Sequence, residues 1–156
     1  MKTSESKKEK YENLRLQIDA LIAGETNLIA KLANISAAIK FSFNFFWVGF
    51  YLLEDEQLVL GPFQGPIACN RINLGKGVCG KAFLEKRSII VPDVDQFEGH
   101  IACNSASKSE IVIPFAIQGK MKGVLDVDSE KLNCFDDVDQ FQLKKILESL
   151  AATAHA

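Results

Sequence analysis

No stretch of this chain gathers lysine and arginine into a stripe that could follow a phosphate backbone. Eighteen basic residues are offset by twenty acidic ones across 156 positions, which argues against nucleic acid as a partner. No apolar core follows the charged opening MKTSESKKEKYE, so no signal peptide is expected and the protein is assigned to the cytosol. No apolar run reaches the roughly twenty residues that cross a bilayer. The most apolar run, Phe41 to Leu53, is broken by Ser42, Asn44 and Gly49 and reads as a buried strand rather than an anchor. The four cysteines contain no Cys-x-x-Cys pair. Cytosolic thiols stay reduced, so a structural disulfide framework is not expected, and a zinc site built from Cys69, Cys79, Cys103 and His100 finds no support in the spacing.

What is present is enough apolar residue, 47% of the chain, to fill one core. We therefore expect a single domain over 1–156. Leu14, Ile18, Leu21 and Ile22 recur at helical spacing, as do Leu28, Leu32, Ile35 and Ile39 beyond Gly24, predicting helices over 1–24 and 26–40. FNFFWVGFYLL and QLVLGPF read as a hairpin turned at Glu54-Asp55-Glu56, within a region of sheet and loops over 44–130. A brief helix is expected from Gly77 to Lys86, then a strand ended by Pro92. Asp93 to Ser107 shows no periodicity, and a long loop in a compact domain is more often functional than idle. EIVIPFAI and MKGVLDVDSE are strand patterns joined through Gln118-Gly119-Lys120. A helix over 136–152 closes the chain, capped by Asp136. Strands do not alternate with helices, so the fold class is α+β: a central, mostly antiparallel sheet flanked by the N- and C-terminal helices.

Several pieces carry chemistry. GKGVCG, residues 75–80, fits G-x-G-x-x-G, with Asp95 near the acidic position of a dinucleotide fold, but the preceding ACNRINL is too short and polar for the apolar parallel strand that fingerprint needs. The glycines then make a tight turn into a helix, with Cys79 near its amino end, where the dipole favours thiolate. His100 reads as a loop residue of no consequence, and Cys134 as a small apolar filler. Ile-Ala-Cys-Asn occurs twice, at 67–70 and 101–104, and wraps Cys69 and Cys103 alike. Asp126 and Asp128 alternate with Leu125 and Val127, putting both carboxylates on one strand face. With a three-residue loop at 118–120, pairing sets Ile117 opposite Met121 and Glu110 opposite Asp128. Three crowded carboxylates raise one another's pKa unless a cation joins them or one keeps its proton; an amino-acid ammonium would supply that charge. Trp47 and Tyr51 share a strand face across Gly49, which leaves an open space between two rings suited to a small ligand.

Taken together, WVGFYLL, GPIACNRINLGKGVCGKA, VPDVDQFEGHIACNSASKSEIVIPF and GVLDVDSE resemble the free methionine-(R)-sulfoxide reductases, enzymes built on a single GAF domain, over nearly all of Trp47 to Glu130. The resemblance implies Cys103 as nucleophile, Cys69 as resolving thiol and Cys79 as an auxiliary or alternative partner. It implies Glu110, Asp126 and Asp128 as substrate-binding carboxylates, Trp47 and Tyr51 as the aromatic pocket, and no metal. The expected reaction is reduction of free L-methionine-(R)-sulfoxide through a cysteine sulfenic acid and an intramolecular disulfide. No cofactor is expected to be bound; thioredoxin, with thioredoxin reductase and NADPH, is the expected external reductant. The amphipathic terminal helices suit a homodimer. Two other classes compete: a GAF module that binds a small ligand and regulates an output domain, for which this length leaves no room, and a thiol redox sensor that turns over no substrate.

Overall fold

Two helices lead, α1 (Lys7–Ile22) and α2 (Leu28–Phe43). The Ser6 hydroxyl accepts from the Glu9 amide at 3.1 Å and the Asn27 side chain from the Ala30 amide at 3.0 Å, so each helix starts on a side-chain cap. Tyr11, Leu14, Ile18 and Ile22 form the buried stripe of α1, with Tyr11 in the place expected of Leu21, which is exposed. Helix α2 runs further than expected. It takes in Phe41 to Phe43 and stops where Asn44 turns left-handed at φ 55°. The run from Phe41 is therefore not one strand, and Phe41 is 79% exposed. The computed structural model describes residues 4–101, 103 and 105–153. The ends of the expected 1–156 domain, the start of the 1–24 helix, and Ala102 and Asn104 of the second Ile-Ala-Cys-Asn lie outside the described residues.

Among the described residues, six antiparallel strands follow in the order β3-β2-β1-β6-β5-β4. They are β1 (Trp47–Glu54), β2 (Gln57–Gln64), β3 (Arg71–Asn73), β4 (Ile89–Val91), β5 (Ser109–Ile117) and β6 (Lys120–Ser129), with α3 (Gly77–Glu85) between β3 and β4. Asp55 and Glu56, both at positive φ, make the two-residue turn of the first hairpin. The second hairpin also turns on two residues, Gln118 and Gly119, so Ile117 faces Lys120 and not Met121. A bulge that skips Lys122 between the pairs Ala116–Met121 and Phe115–Gly123 then restores the expected register, and Glu110 does lie opposite Asp128.

The alternation of strand side chains gives the sheet two covered faces. On one, Val48, Phe50, Ile111, Ile113, Leu125 and Val127 pack with the buried stripes of α1, α2 and the closing helix α4 (Asp137–Thr153). On the other, Trp47, Tyr51, Val112 and Val124 pack with Val78, Ala82 and Phe83 of α3. Asp136 caps α4, accepting from the Val138 amide at 3.0 Å, while the Asp139 carboxylate accepts from the Asp136 amide at 2.9 Å. Asp139 also accepts from Tyr11 Oη at 2.6 Å and Lys7 Nζ at 2.7 Å, tying the first helix to the last. No helix among the described residues is long and apolar enough to cross a membrane.

Candidate functional site

The second face is where the chemistry collects. A cavity of about 60 Å³ opens there, lined by Trp47, Tyr51, Cys79, His100, Cys103, Glu110, Asp126 and Asp128. Glu110 comes from β5, the two aspartates from β6, Cys79 from α3 and the aromatics from β1. The glycines of GKGVCG position α3: Gly75 and Gly77 hold positive φ, and a side chain at Gly80 would run into the Asn73 carbonyl. β3 before them is a three-residue antiparallel edge strand, not the inner parallel strand of a dinucleotide fold.

The carboxylates do not lie on a solvated sheet face. Glu110 and Asp126 are each 6% exposed. Burial pushes Glu110, Asp126 and Asp128 well above the ordinary carboxylate range, and their mutual charge pushes further: Asp126 acts on Glu110, Asp128 on Asp126, and Glu110 on Asp128. Each therefore holds a proton more firmly than a surface acid does. Ser107 Oγ donates to Asp128 at 3.4 Å, whereas Oδ1 of Asp126 is buried with no hydrogen-bond partner.

Cys69 and Cys103 are joined as a disulfide, their Cα atoms 5.6 Å apart and 34 residues apart in sequence. Cys79 and Cys134 are free. The helix dipole does not win at Cys79. Burial, followed by the charges of Asp126, Glu110 and Asp128, holds its thiol well above the usual range, so it stays protonated. Cys134 packs beside the first core, as a small filler would. With Cys69 and Cys103 bonded to each other, the four-ligand set that includes Cys79 and His100 is not available in this form.

The aromatics are arranged differently from expectation. No open space lies above Gly49, because the Trp47 indole folds back over it; a side chain there would meet the indole at 2.6 Å. Trp47 stacks between Tyr51, at 6.0 Å between centroids, and Phe63, at 5.2 Å. Trp47 Nε1 donates to the Pro66 carbonyl at 3.0 Å and Tyr51 Oη to the Cys69 carbonyl at 2.9 Å. Both rings thus hold the loop that carries Cys69. His100, set aside as inconsequential, lines the cavity with Nε2 4.0 Å from Glu110 Oε1. Burial lowers its pKa, against the opposing charge of Asp95. Its place three residues before Cys103 was the only signal in the sequence, and nothing in the spacing distinguished it from an ordinary loop histidine.

Residues 34–154 match the family described as GAF domain. The chain is 61% identical over 146 residues to GAF domain-containing protein A of Dictyostelium discoideum, covering 93% of this chain and 92% of that one. It is 47% identical over 146 residues to the free methionine-R-sulfoxide reductase of Escherichia coli K12, covering 93% and 88%. Among solved structures, it superimposes on free methionine-R-sulfoxide reductase from Neisseria meningitidis in complex with its substrate with a TM-score of 0.93, at 44% identity, covering 98% of this chain and 93% of that one.

Proposed function

The chain belongs to the GAF-domain family of free methionine-R-sulfoxide reductases, and from that premise we propose that it reduces free L-methionine-(R)-sulfoxide with its own thiols and is recycled by thioredoxin. The observation that carries this reading is a disulfide, Cys69–Cys103, opening onto a pocket of three carboxylates, Glu110 and Asp126 buried and Asp128 half-buried.

In the proposed cycle the reduced Cys103 attacks the sulfoxide sulfur as thiolate. Oxide is a poor leaving group, so the oxygen must take a proton as the S–O bond weakens. The raised carboxyls support this role, because an acid whose burial and neighbouring charges hold its proton keeps it to higher pH than a surface acid and has it to give. The remaining carboxylate charge receives the substrate ammonium. The hydroxyl then passes from the substrate sulfur to Cys103 Sγ as the transient sulfur–sulfur bond breaks, its electron pair staying with methionine. Methionine leaves and Cys103 becomes a sulfenic acid. The Cys69 thiolate attacks that sulfur, displacing hydroxide that takes a proton to leave as water, and the disulfide forms. Cys69 suits the resolving role better than Cys79, whose buried thiol keeps its proton and leaves it a secondary partner. A cavity of about 60 Å³ has room for a few waters only, which supports a cycle in which the Cys69 and Cys103 loops part before the amino acid enters. Thioredoxin, returned to its dithiol by thioredoxin reductase and NADPH, supplies the two electrons that reopen the bond. The same reading keeps the protein in the cytosol and pairs it as a homodimer through α1 and α4, where Leu16 and Phe141 are exposed.

The test is NADPH consumption with thioredoxin and its reductase, on separate R and S epimers of free methionine sulfoxide, for wild type and Cys103→Ser. Oxidation specific to R that disappears in the variant is expected. No turnover with either epimer, in a recycling system shown to work, overturns the reading in favour of a sensor or ligand-binding module.

A further inference from the structure

Cys79 is the one pocket sulfur that the Cys69–Cys103 bond leaves unused. It is 4% exposed and free of any disulfide. Its Sγ, a carboxylate oxygen of Glu110 and one of Asp126 all lie within 4.8 Å of one another, brought together from α3, β5 and β6. Oδ1 of Asp126 is itself buried without a hydrogen-bond partner. An ammonium donates hydrogen bonds to oxygen but gains little from a thiol. A borderline-soft divalent ion takes sulfur and oxygen ligands together, at about 2.3 Å and 2.0–2.2 Å for zinc, so three such atoms at these separations can close around one ion.

We propose that Cys79, Glu110 and Asp126 form an inhibitory site for a zinc-class divalent cation, held in competition with the amino acid. This set differs from the Cys69, Cys79, Cys103 and His100 combination weighed from sequence, and it survives formation of the disulfide. On binding, the metal–sulfur bond replaces the S–H bond, the proton passes to solvent, and no electrons move. A fourth position faces the cavity, where water or the substrate carboxylate completes a tetrahedron. The metal site stands on geometry alone; only the competition rests on the carboxylates being the substrate site.

The experiment uses untagged, disulfide-form protein with Cys134→Ser, so that Cys79 is the sole thiol. Zn²⁺ is titrated by calorimetry, and Cd²⁺ by its thiolate charge-transfer absorption. One equivalent is expected, weakened more than about a hundredfold in Cys79→Ser and in Asp126→Asn, since even outer-shell partners of a metal are worth about ten- to a hundredfold. Competition is read on the Cys69→Ser/Cys103→Ser/Cys134→Ser protein, which has no disulfide and no turnover and keeps Cys79 as its sole thiol. There, free methionine-(R)-sulfoxide should reduce the apparent affinity in proportion to its concentration. Absence of the thiolate band, or binding unchanged in both variants, overturns the site. Should Cys79→Ser not fold, the band in the Cys134→Ser protein and its loss in Asp126→Asn decide the matter. Binding that needs Cys79 and Asp126 yet ignores the amino acid keeps the metal site and overturns the competition, and with it the assignment of the carboxylates to substrate.

Discussion

Tyr51 Oη donates a 2.9 Å hydrogen bond to the backbone carbonyl of Cys69, so a side chain of the pocket wall fixes the position of a half-cystine. Tyr51→Phe keeps the stacking with Trp47 and removes only that bond, at a cost in stability of about 1 kcal/mol. Its sharper effect is expected on the approach of Cys69 to Cys103. Stopped-flow disulfide formation after one equivalent of free methionine-(R)-sulfoxide should slow several-fold, while the methionine-release step keeps its rate.

Cys69→Ser removes the proposed resolving thiol and leaves the nucleophile. One methionine per protein is expected in a single turnover, with Cys103 trapped as a sulfenic acid by a carbon-acid probe and read by intact-mass spectrometry. A full equivalent of intramolecular disulfide in this variant would move the resolving role to Cys79.

The buried carboxylates make stability depend on pH in a direction opposite to a salt-bridged acid. Their folded pKa values lie above the unfolded ones, so the native state binds more protons once the unfolded chain has begun to release its own. Their contribution is complete below the unfolded values near pH 4 and is lost as pH rises through the folded ones. Asp126→Asn should therefore match wild type near pH 4 and exceed it at pH 8, by about 1.4 kcal/mol for each unit by which the fold raises that acid. Urea melts at the two pH values measure the difference. A gap that shrinks with rising pH would reverse the sign of the shift.

Asp139 is 1% exposed and accepts from Tyr11, Lys7 and the Asp136 amide. Asp139→Ala strands these donors and should cost about 3 kcal/mol, read as a fall in the chemical-denaturation midpoint. The pocket lies on the other sheet face, so the folded variant should retain its KM.

The elements most legible in the sequence were those in which a single period governed burial. Helix faces such as Leu32, Ile35 and Ile39, and the strand alternation of Leu125 and Val127 with Asp126 and Asp128, have that property. The pairing of Glu110 with Asp128 was reached through two compensating errors: a turn one residue too long and a bulge at Lys122 that no local pattern announces. Phe41 to Phe43 looked like strand because aromatic residues favour sheets, but the helix continued until Asn44 supplied the left-handed stop. The space above Gly49 was misread because strand spacing gives the face of Trp47 and not its rotamer; only the packing of Phe63 and the Pro66 carbonyl sends the indole back across the glycine. Cys79 shows the same limit in electrostatics. Its helix position was visible, while the burial that overrules the dipole, and the acids that add to it, come from strands thirty and more residues away.

The sheet order carries a mechanical consequence. Cys69 leads into β3 at one edge of the six strands, while Cys103 lies on the connection from β4, at the opposite edge, to β5. Their bond is therefore a buckle fastened across the width of the sheet, over its central strands. Under the proposed cycle every turnover draws that buckle shut and every encounter with reductant releases it. The two margins of the molecule should stiffen and slacken together with the redox state of a single pair of sulfurs. Hydrogen exchange in β3 and β4, measured in the oxidised and reduced protein, would then follow the catalytic cycle from the two margins of the sheet.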